Sequence, residues 1–265
     1  MKYGFIGAGN IASAITEGVL KSQKIPKEDI SAFDANEAVL AGFAKRYGVK
    51  AQKDAFGVID FSDMVILSVK PNILLKALSD LQGAFKKAGC LVVSPAAGVT
   101  LNDMDKTADL PVVRVMPNLN AAVREAVTAY CANKNVTDER KKVAADFFAL
   151  TGASVEIEER LFPAFMAIAG CSPAFTYLYV NALAKGAVKY GIDKKTALDV
   201  AARAALGAAK MILESGKHPH ALIDEVCSPG GTTIEGVCAL DAAGFERAVV
   251  SAVDAAVLKD RMMNA

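Results

Sequence analysis

Lys2 to Ile6 form a short apolar run, and Gly7-Ala8-Gly9-Asn10-Ile11-Ala12 follows it at once. This is G-x-G-x-x-A after a predicted strand and before a predicted helix (Ala12 to about Lys21), the context that gives a dinucleotide fingerprint its meaning. Gly7 permits the tight turn, Gly9 lets the backbone approach a pyrophosphate, and Ala12 lets the helix pack close to the strand. Asp34 closes a second predicted strand, Ile30 to Phe33, where an acid would meet the adenosine ribose. A lone fingerprint is weak evidence; with the strand, helix and acid in place it specifies a nucleotide-binding Rossmann half.

Strand and helix alternate beyond it. Glu37 to Tyr47 reads as a helix stopped by Gly48, and Met64 to Ser68 and Leu91 to Ser94 read as buried strands. Asn72 to Phe85 is helical, and Val112 to Met116 is a strand ended by Pro117. Thr128 to Ala132 and Ser154 to Ile157 are shorter strands flanking a helix from Asp138 to Leu150. Such alternation predicts a parallel, doubly wound sheet, whose ligands bind beyond the carboxyl ends of its strands. Val69, Lys70 and Pro71, then Ala96, Ala97 and Gly98, then Asn118 fall there and are candidate cofactor contacts. With the fingerprint residues Gly7, Ala8, Gly9, Asn10, Ile11 and Ala12, and with Asp34, they complete the expected cofactor set.

After Arg160 the pattern changes. The chain becomes alanine-rich at helical spacing and shows no recognisable strand, so the expected domains are 1–160, a Rossmann-type sheet, and 161–265, all helix. Pro163 suits a first helical turn, and Pro173 in Gly170-Cys171-Ser172-Pro173 must kink or break a helix. Small-residue faces such as Ala201-Ala202, Ala204-Ala205 and Gly207-Ala208-Ala209 permit close helix contacts and point to a subunit interface.

Within the helical part, Val226-Cys227-Ser228-Pro229-Gly230-Gly231-Thr232-Thr233-Ile234-Glu235 stands apart. Gly230-Gly231 lets successive amides converge on one point, and Thr232-Thr233-Ile234 opens a helix whose free amides favour an anion. The expected ligand is a carboxylate or phosphate held by backbone, with the Ser228 and Thr233 hydroxyls beside it. A capped Pro-Gly turn accounts for the same residues if this stretch is read alone.

Composition narrows the rest. In 265 residues, 53% are hydrophobic, enough for a substantial core, and the net charge of +1 gives no reason to expect nucleic acid or an anionic membrane as partner. No apolar run is seen to approach the ~20 residues of a membrane span, and no signal peptide is read before the first strand. Five cysteines without CxxC spacing read as reduced thiols and a cytoplasmic setting, and no metal site is expected. His218 and His220 are the only histidines, which excludes most imidazole-based chemistry.

Phe5-Ile6-Gly7-Ala8-Gly9-Asn10, Val69-Lys70-Pro71, Ala96-Ala97-Gly98-Val99-Thr100, Arg114-Val115-Met116-Pro117-Asn118, Ala208-Ala209-Lys210-Met211, Ser228 to Thr233 and Gly244-Phe245 together resemble the pyrroline-5-carboxylate reductase family, in order along essentially the whole chain. The resemblance implies hydride transfer from NADH or NADPH to the C=N carbon of a cyclic imino acid, giving proline. It implies that Ser228, Gly230, Gly231 and Thr232 hold the substrate carboxylate and that Thr233 bonds the ring nitrogen as the catalytic residue. It further implies a homodimer with a shared active site, or a larger ring of dimers. Asp34, with no basic residue among its neighbours, predicts a preference for NADH. The alternative is a beta-hydroxyacid dehydrogenase-like enzyme or another cyclic imine reductase. The hydroxyacid enzymes commonly place a lysine in the long helix, and this chain has none between Lys142 and Lys185.

Overall fold

The computed structural model describes residues 1–263. The chain divides into two compact units, the first Met1–Gly170 with the chain end from Val257, the second Cys171–Ala256.

The first unit is an eight-stranded sheet. Its strands are β1 (Tyr3–Ile6), β2 (Ile30–Phe33), β3 (Lys50–Ala51), β4 (Met64–Leu67), β5 (Leu91–Ser94), β6 (Val112–Met116), β7 (Ala126–Ala132) and β8 (Gly152–Glu156), in the order β3-β2-β1-β4-β5-β6-β7-β8. The helices of this part are α1 (Asn10–Lys21), α2 (Glu37–Tyr47), α3 (Ala55–Phe61), α4 (Pro71–Ala88), α5 (Leu101–Thr107) and α6 (Asp138–Ala149). The pleat sends alternate side chains to opposite faces, and both faces are covered. Phe5, Ile66, Val93 and Val115 pack with Ile15, Phe43 and Phe147 on one side. Val65, Leu67 and Val92 pack with Ile59, Leu74 and Met104 on the other.

The sheet is parallel except at one place. β7 runs antiparallel to β6, against the expectation of a wholly parallel sheet. The cause is the connection. Between them lies only a single 3-10 turn, Leu119–Val123, closed by Arg124 in the left-handed region, which is too short for the crossover that parallel strands need. β3, α3 and α5 are further elements that the sequence pattern did not reveal.

Glu159–Lys189 is one continuous helical run. It contains α7 (Phe162–Phe165), a π-helical turn (Met166–Cys171) and α8 (Ser172–Lys189). The expected break at Gly170–Pro173 is thus a local widening, with Pro173 in the first turn of α8. Because the run stays helical, it is long and apolar enough to cross a membrane by length and composition alone, which corrects the expectation that no such stretch exists. Phe162, Ala167 and Ala169 are buried in the first unit, so its boundary falls at Gly170 rather than at 160.

The second unit holds α8, α9 (Lys194–Ser215), α10 (Pro219–Val226), α11 (Thr232–Ala242) and most of α12 (Phe245–Met263), with α8 packed on α9. Its buried residues, among those described, are Ala184, Ala197 and Ala201. An apolar groove of about 590 Å³ runs between α8, α11 and α12, lined by Phe175, Leu178, Tyr179, Leu183, Phe245 and Val249 among others.

Candidate active site

In the first unit the fingerprint forms the turn that its sequence requires. Gly7 has φ +97°, and a Cβ there would lie 2.5 Å from the Ser68 carbonyl oxygen, so both its conformation and its neighbour demand glycine. Its N–H donates to the Phe33 carbonyl at 2.8 Å, fastening the turn to the end of β2. Gly9 is different. A Cβ there would meet nothing within 4 Å, so the backbone faces open space, the room a phosphate needs. Asn10, Ile11 and Ala12 open α1 behind it.

Side-chain caps close the starts of six helices; the three starts at the expected binding loops lack them, as do α7 and α8 inside the continuous run Glu159–Lys189. α2, α3, α5, α6, α9 and α10 start on side-chain caps from Asn36, Asp54, Thr100, Thr137, Asp193 and His218. α1, α4 and α11 start on Gly9, Lys70 and Gly231, and no side chain caps any of them. A helix N-terminus carries unsatisfied amides and a positive dipole end. Those three termini are where the sequence placed cofactor and substrate.

Asp34 is fixed. Its Oδ2 accepts from the Ala8 N–H and its Oδ1 from the Asn36 N–H, both at 2.8 Å. The Ala8 amide is thereby spent on Asp34, which removes it from the donors open to a pyrophosphate. Each carboxylate oxygen keeps a lone pair for a ribose hydroxyl.

The strand ends line up as expected for a doubly wound sheet, in which β1, β4, β5 and β6 are neighbours. After β4 come Val69, half-buried, the exposed Lys70 and Pro71 at the first turn of α4. After β5 come Ala96, buried, Ala97, exposed, and Gly98 at φ +79°. After β6 comes Asn118, which the structure treats unlike the others. It is 6% exposed, and its Nδ2 donates to the Ala169 carbonyl at 2.7 Å. Its side chain belongs to the protein interior, not to an open cofactor cleft.

Two supporting contacts are visible only in the structure. Ser68 Oγ donates to the Gly7 carbonyl at 2.6 Å and ties the end of β4 to the fingerprint turn. Glu159 Oε1 accepts from Arg114 Nη1 at 2.6 Å and from the Leu101 N–H at 2.7 Å, joining the start of the long helical run to β6 and α5. The neighbouring Cys131 thiol is pushed up to about 12, first by burial and then by the Glu159 charge. A hydroxyl after a strand was the only sequence signal for Ser68; Glu159 carried none.

In the second unit the Ser228–Thr233 loop joins α10 to α11. Gly230 has φ +68°, and the Gly231 N–H donates to the Ser228 carbonyl at 3.0 Å, closing the turn. A Cβ on Gly231 would lie 2.5 Å from Ser228 Oγ, so the hydroxyl packs directly over this glycine. Thr232 begins α11, and Ser228, Thr232 and Thr233 are all exposed. Hydroxyls and amides therefore face outward from an uncapped helix start, the arrangement expected for a carboxylate. Cys171 and Cys227 are half-exposed, and none of the five cysteines is in a disulfide. Among the described residues no cluster of His, Cys, Asp or Glu could hold a metal ion.

Residues 159–263 match the family model described as pyrroline-5-carboxylate reductase dimerisation. Residues 2–98 match the model described as NADP oxidoreductase, coenzyme F420-dependent. Pyrroline-5-carboxylate reductase of Methanosarcina acetivorans is 41% identical over 95% of this chain and 94% of its own length. The Escherichia coli enzyme of the same name is 36% identical over 99% of this chain and 98% of its own. Among solved structures, pyrroline carboxylate reductase of Plasmodium falciparum, with NADP bound, superposes with TM-score 0.89 at 28% identity, covering 100% of this chain and 98% of that one. The Streptococcus pyogenes enzyme gives 0.86 at 35%, covering 99% and 98%. Fingerprint, strand-end loops, anion loop and helical unit thus agree with relatives matched along nearly their whole length: this chain belongs to the pyrroline-5-carboxylate reductase family.

Proposed function

We propose that this protein reduces 1-pyrroline-5-carboxylate to L-proline with a nicotinamide cofactor, and that it works as a homodimer, or a ring of dimers, whose site draws on both subunits. The observation that carries the reading is the exposed Ser228–Thr233 loop at the uncapped start of α11. The relatives named above bear the name of this activity.

The cofactor, when bound, supplies the hydride. The chain supplies the rest. The Gly9 turn and the α1 amides would receive the pyrophosphate, and Val69, Lys70, Pro71, Ala96, Ala97 and Gly98 would border the rest of the cofactor at the strand ends. Ser228 and the Gly231 and Thr232 amides hold the substrate carboxylate. Thr233 bonds the ring nitrogen and orients the imine. A threonine hydroxyl is far too weak an acid to protonate an imine by itself, so its work is orientation or relay from water. Catalysis rests mainly on holding the imine carbon against the nicotinamide.

The preference for NADH is part of this reading. Two backbone amides pin the Asp34 carboxylate, which opposes its swinging aside for a 2′-phosphate. Asn36 is committed to capping α2, whose first turn adds the acidic Glu37. The family model of the first part bears the name of an NADP enzyme, and the Plasmodium relative was solved with NADP, which weighs the other way. The five cysteines, none of them in a disulfide, are in keeping with a reducing, cytoplasmic setting.

Homodimerisation is supported by the dimerisation model over residues 159–263 and by the open groove of the second unit. The test is cofactor oxidation with 1-pyrroline-5-carboxylate as the only added substrate. Turnover with NADH exceeding that with NADPH about tenfold in kcat/KM is expected; no turnover with either cofactor defeats the proposal.

A further inference from the structure

Pro173 has a consequence four residues upstream. In a regular helix the carbonyl of Ala169 would accept from the N–H of residue 173, and proline has none. Ala169 is 6% exposed, so water is a poor substitute, and a buried carbonyl without a donor is costly. The donor that residue 173 would supply in α-helical register comes from elsewhere in the first unit: Asn118 Nδ2, at 2.7 Å, on the loop that leaves β6. The other end of the same amide, Asn118 Oδ1, is buried and has no partner, so the side chain is held through its nitrogen.

We propose that Asn118 is a positioning residue: its amide replaces the helix donor that Pro173 removes, and so locks the π-helical turn Met166–Cys171 to the end of β6. That end is one of the strand termini beyond which ligands of a doubly wound sheet bind, so the inference rests on the reductase reading given above. Asn118 touches neither cofactor nor substrate in this role. It fixes the floor on which they meet.

A double-mutant cycle tests this on the full-length protein. Asn118→Leu keeps the size of the side chain and removes the donor; Pro173→Ala restores the helix N–H. Asn118→Leu alone is expected to lower kcat with the imine about tenfold, through misplacement of the reacting groups, and to lower Tm, with the cofactor Kd changed less than about threefold. In the Pro173→Ala background the same substitution should cost less than about threefold in kcat, and less than half the Tm. Equal losses in the two backgrounds, or an Asn118→Leu variant with wild-type kcat and Tm, overturn the proposal. Loss of imine turnover in the wild type would defeat the reductase reading instead. The Tm cycle then still decides whether Asn118 serves Ala169.

Discussion

The two units solve the problem of apolar surface in opposite ways. The first closes its own core: Phe5, Ile15, Ile66, Leu74 and Phe148 are fully buried between a sheet and the helices on its two faces. The second, among its described residues, buries only three alanines, while Leu178 is 71% exposed and Leu213 82%. Monomeric soluble proteins rarely expose contiguous apolar patches beyond a few hundred Å². The first unit is therefore self-sufficient, whereas the second leaves an apolar face open, the face that the proposed homodimer would cover.

The largest effect should come from attacking that half-core. Leu178 lines the groove of the second unit. On a free surface Leu178→Asp would change stability by about 0.5 kcal/mol or less. Buried against another copy, an unpaired carboxylate costs several kcal/mol, so dissociation and a loss of activity of roughly 100-fold are expected. Sedimentation and turnover of the same preparation read both. An oligomer that survives the substitution with full activity would break the contrast drawn between the units.

In the first unit the equivalent strike is at the fingerprint turn. Gly7→Ala brings a Cβ against the Ser68 carbonyl at a positive φ and should destabilise the chain by roughly 2–4 kcal/mol, read as a fall in Tm. Gly9→Ala offers the control. Its Cβ meets no protein atom, so Tm should stay within a degree or two while cofactor Kd rises about tenfold or more. Two glycines two residues apart then separate folding from binding. If both substitutions act on Tm alone, the open space at Gly9 is not the phosphate site.

Much of the first unit was legible because buried parallel strands are short, continuous apolar runs, and because the fingerprint fixes strand, turn and helix together. What stayed hidden was short or depended on neighbours. α3 and α5 span seven residues each, too few for a helical period to show, and β3 is two exposed residues. Ala126–Ala132 reads as a strand in either direction; only the short turn before it sets its sense. The Asn118–Ala169 bond joins residues 51 apart, which no local pattern encodes. In the second unit the helices were legible, and so was their apolar surface. Which groove lies between them was not, because that depends on packing. The Ser228–Thr233 loop could be read in sequence because its glycines, hydroxyls and proline are local instructions for a turn.

Asp34 sharpens the contrast from the cofactor side, at about tenfold. Asp34→Ser removes the carboxylate assigned above to the ribose and also frees the Ala8 amide it now occupies. The ratio of kcat/KM for NADH over NADPH should fall toward one, by about 1.4 kcal/mol. Tm should change little, since Asp34 is only half-buried. A wild-type enzyme that already favours NADPH would remove the assignment.

The smallest effect is expected at Thr233, and it isolates the second unit's chemistry. The residue is exposed near the start of α11, so Thr233→Ala takes away no core contact. Losing one hydrogen bond to the imine nitrogen should cost about 0.5–1.5 kcal/mol, or roughly two- to twelvefold in kcat/KM. Cofactor Kd should stay unchanged, because the cofactor turn lies on the first unit. If the bond strengthens as the nitrogen gains electron density, kcat should fall with kcat/KM. If it serves binding alone, KM should rise with kcat intact. Either split keeps Thr233 in the site. Wild-type values for both constants would show that the amides of the loop act without it.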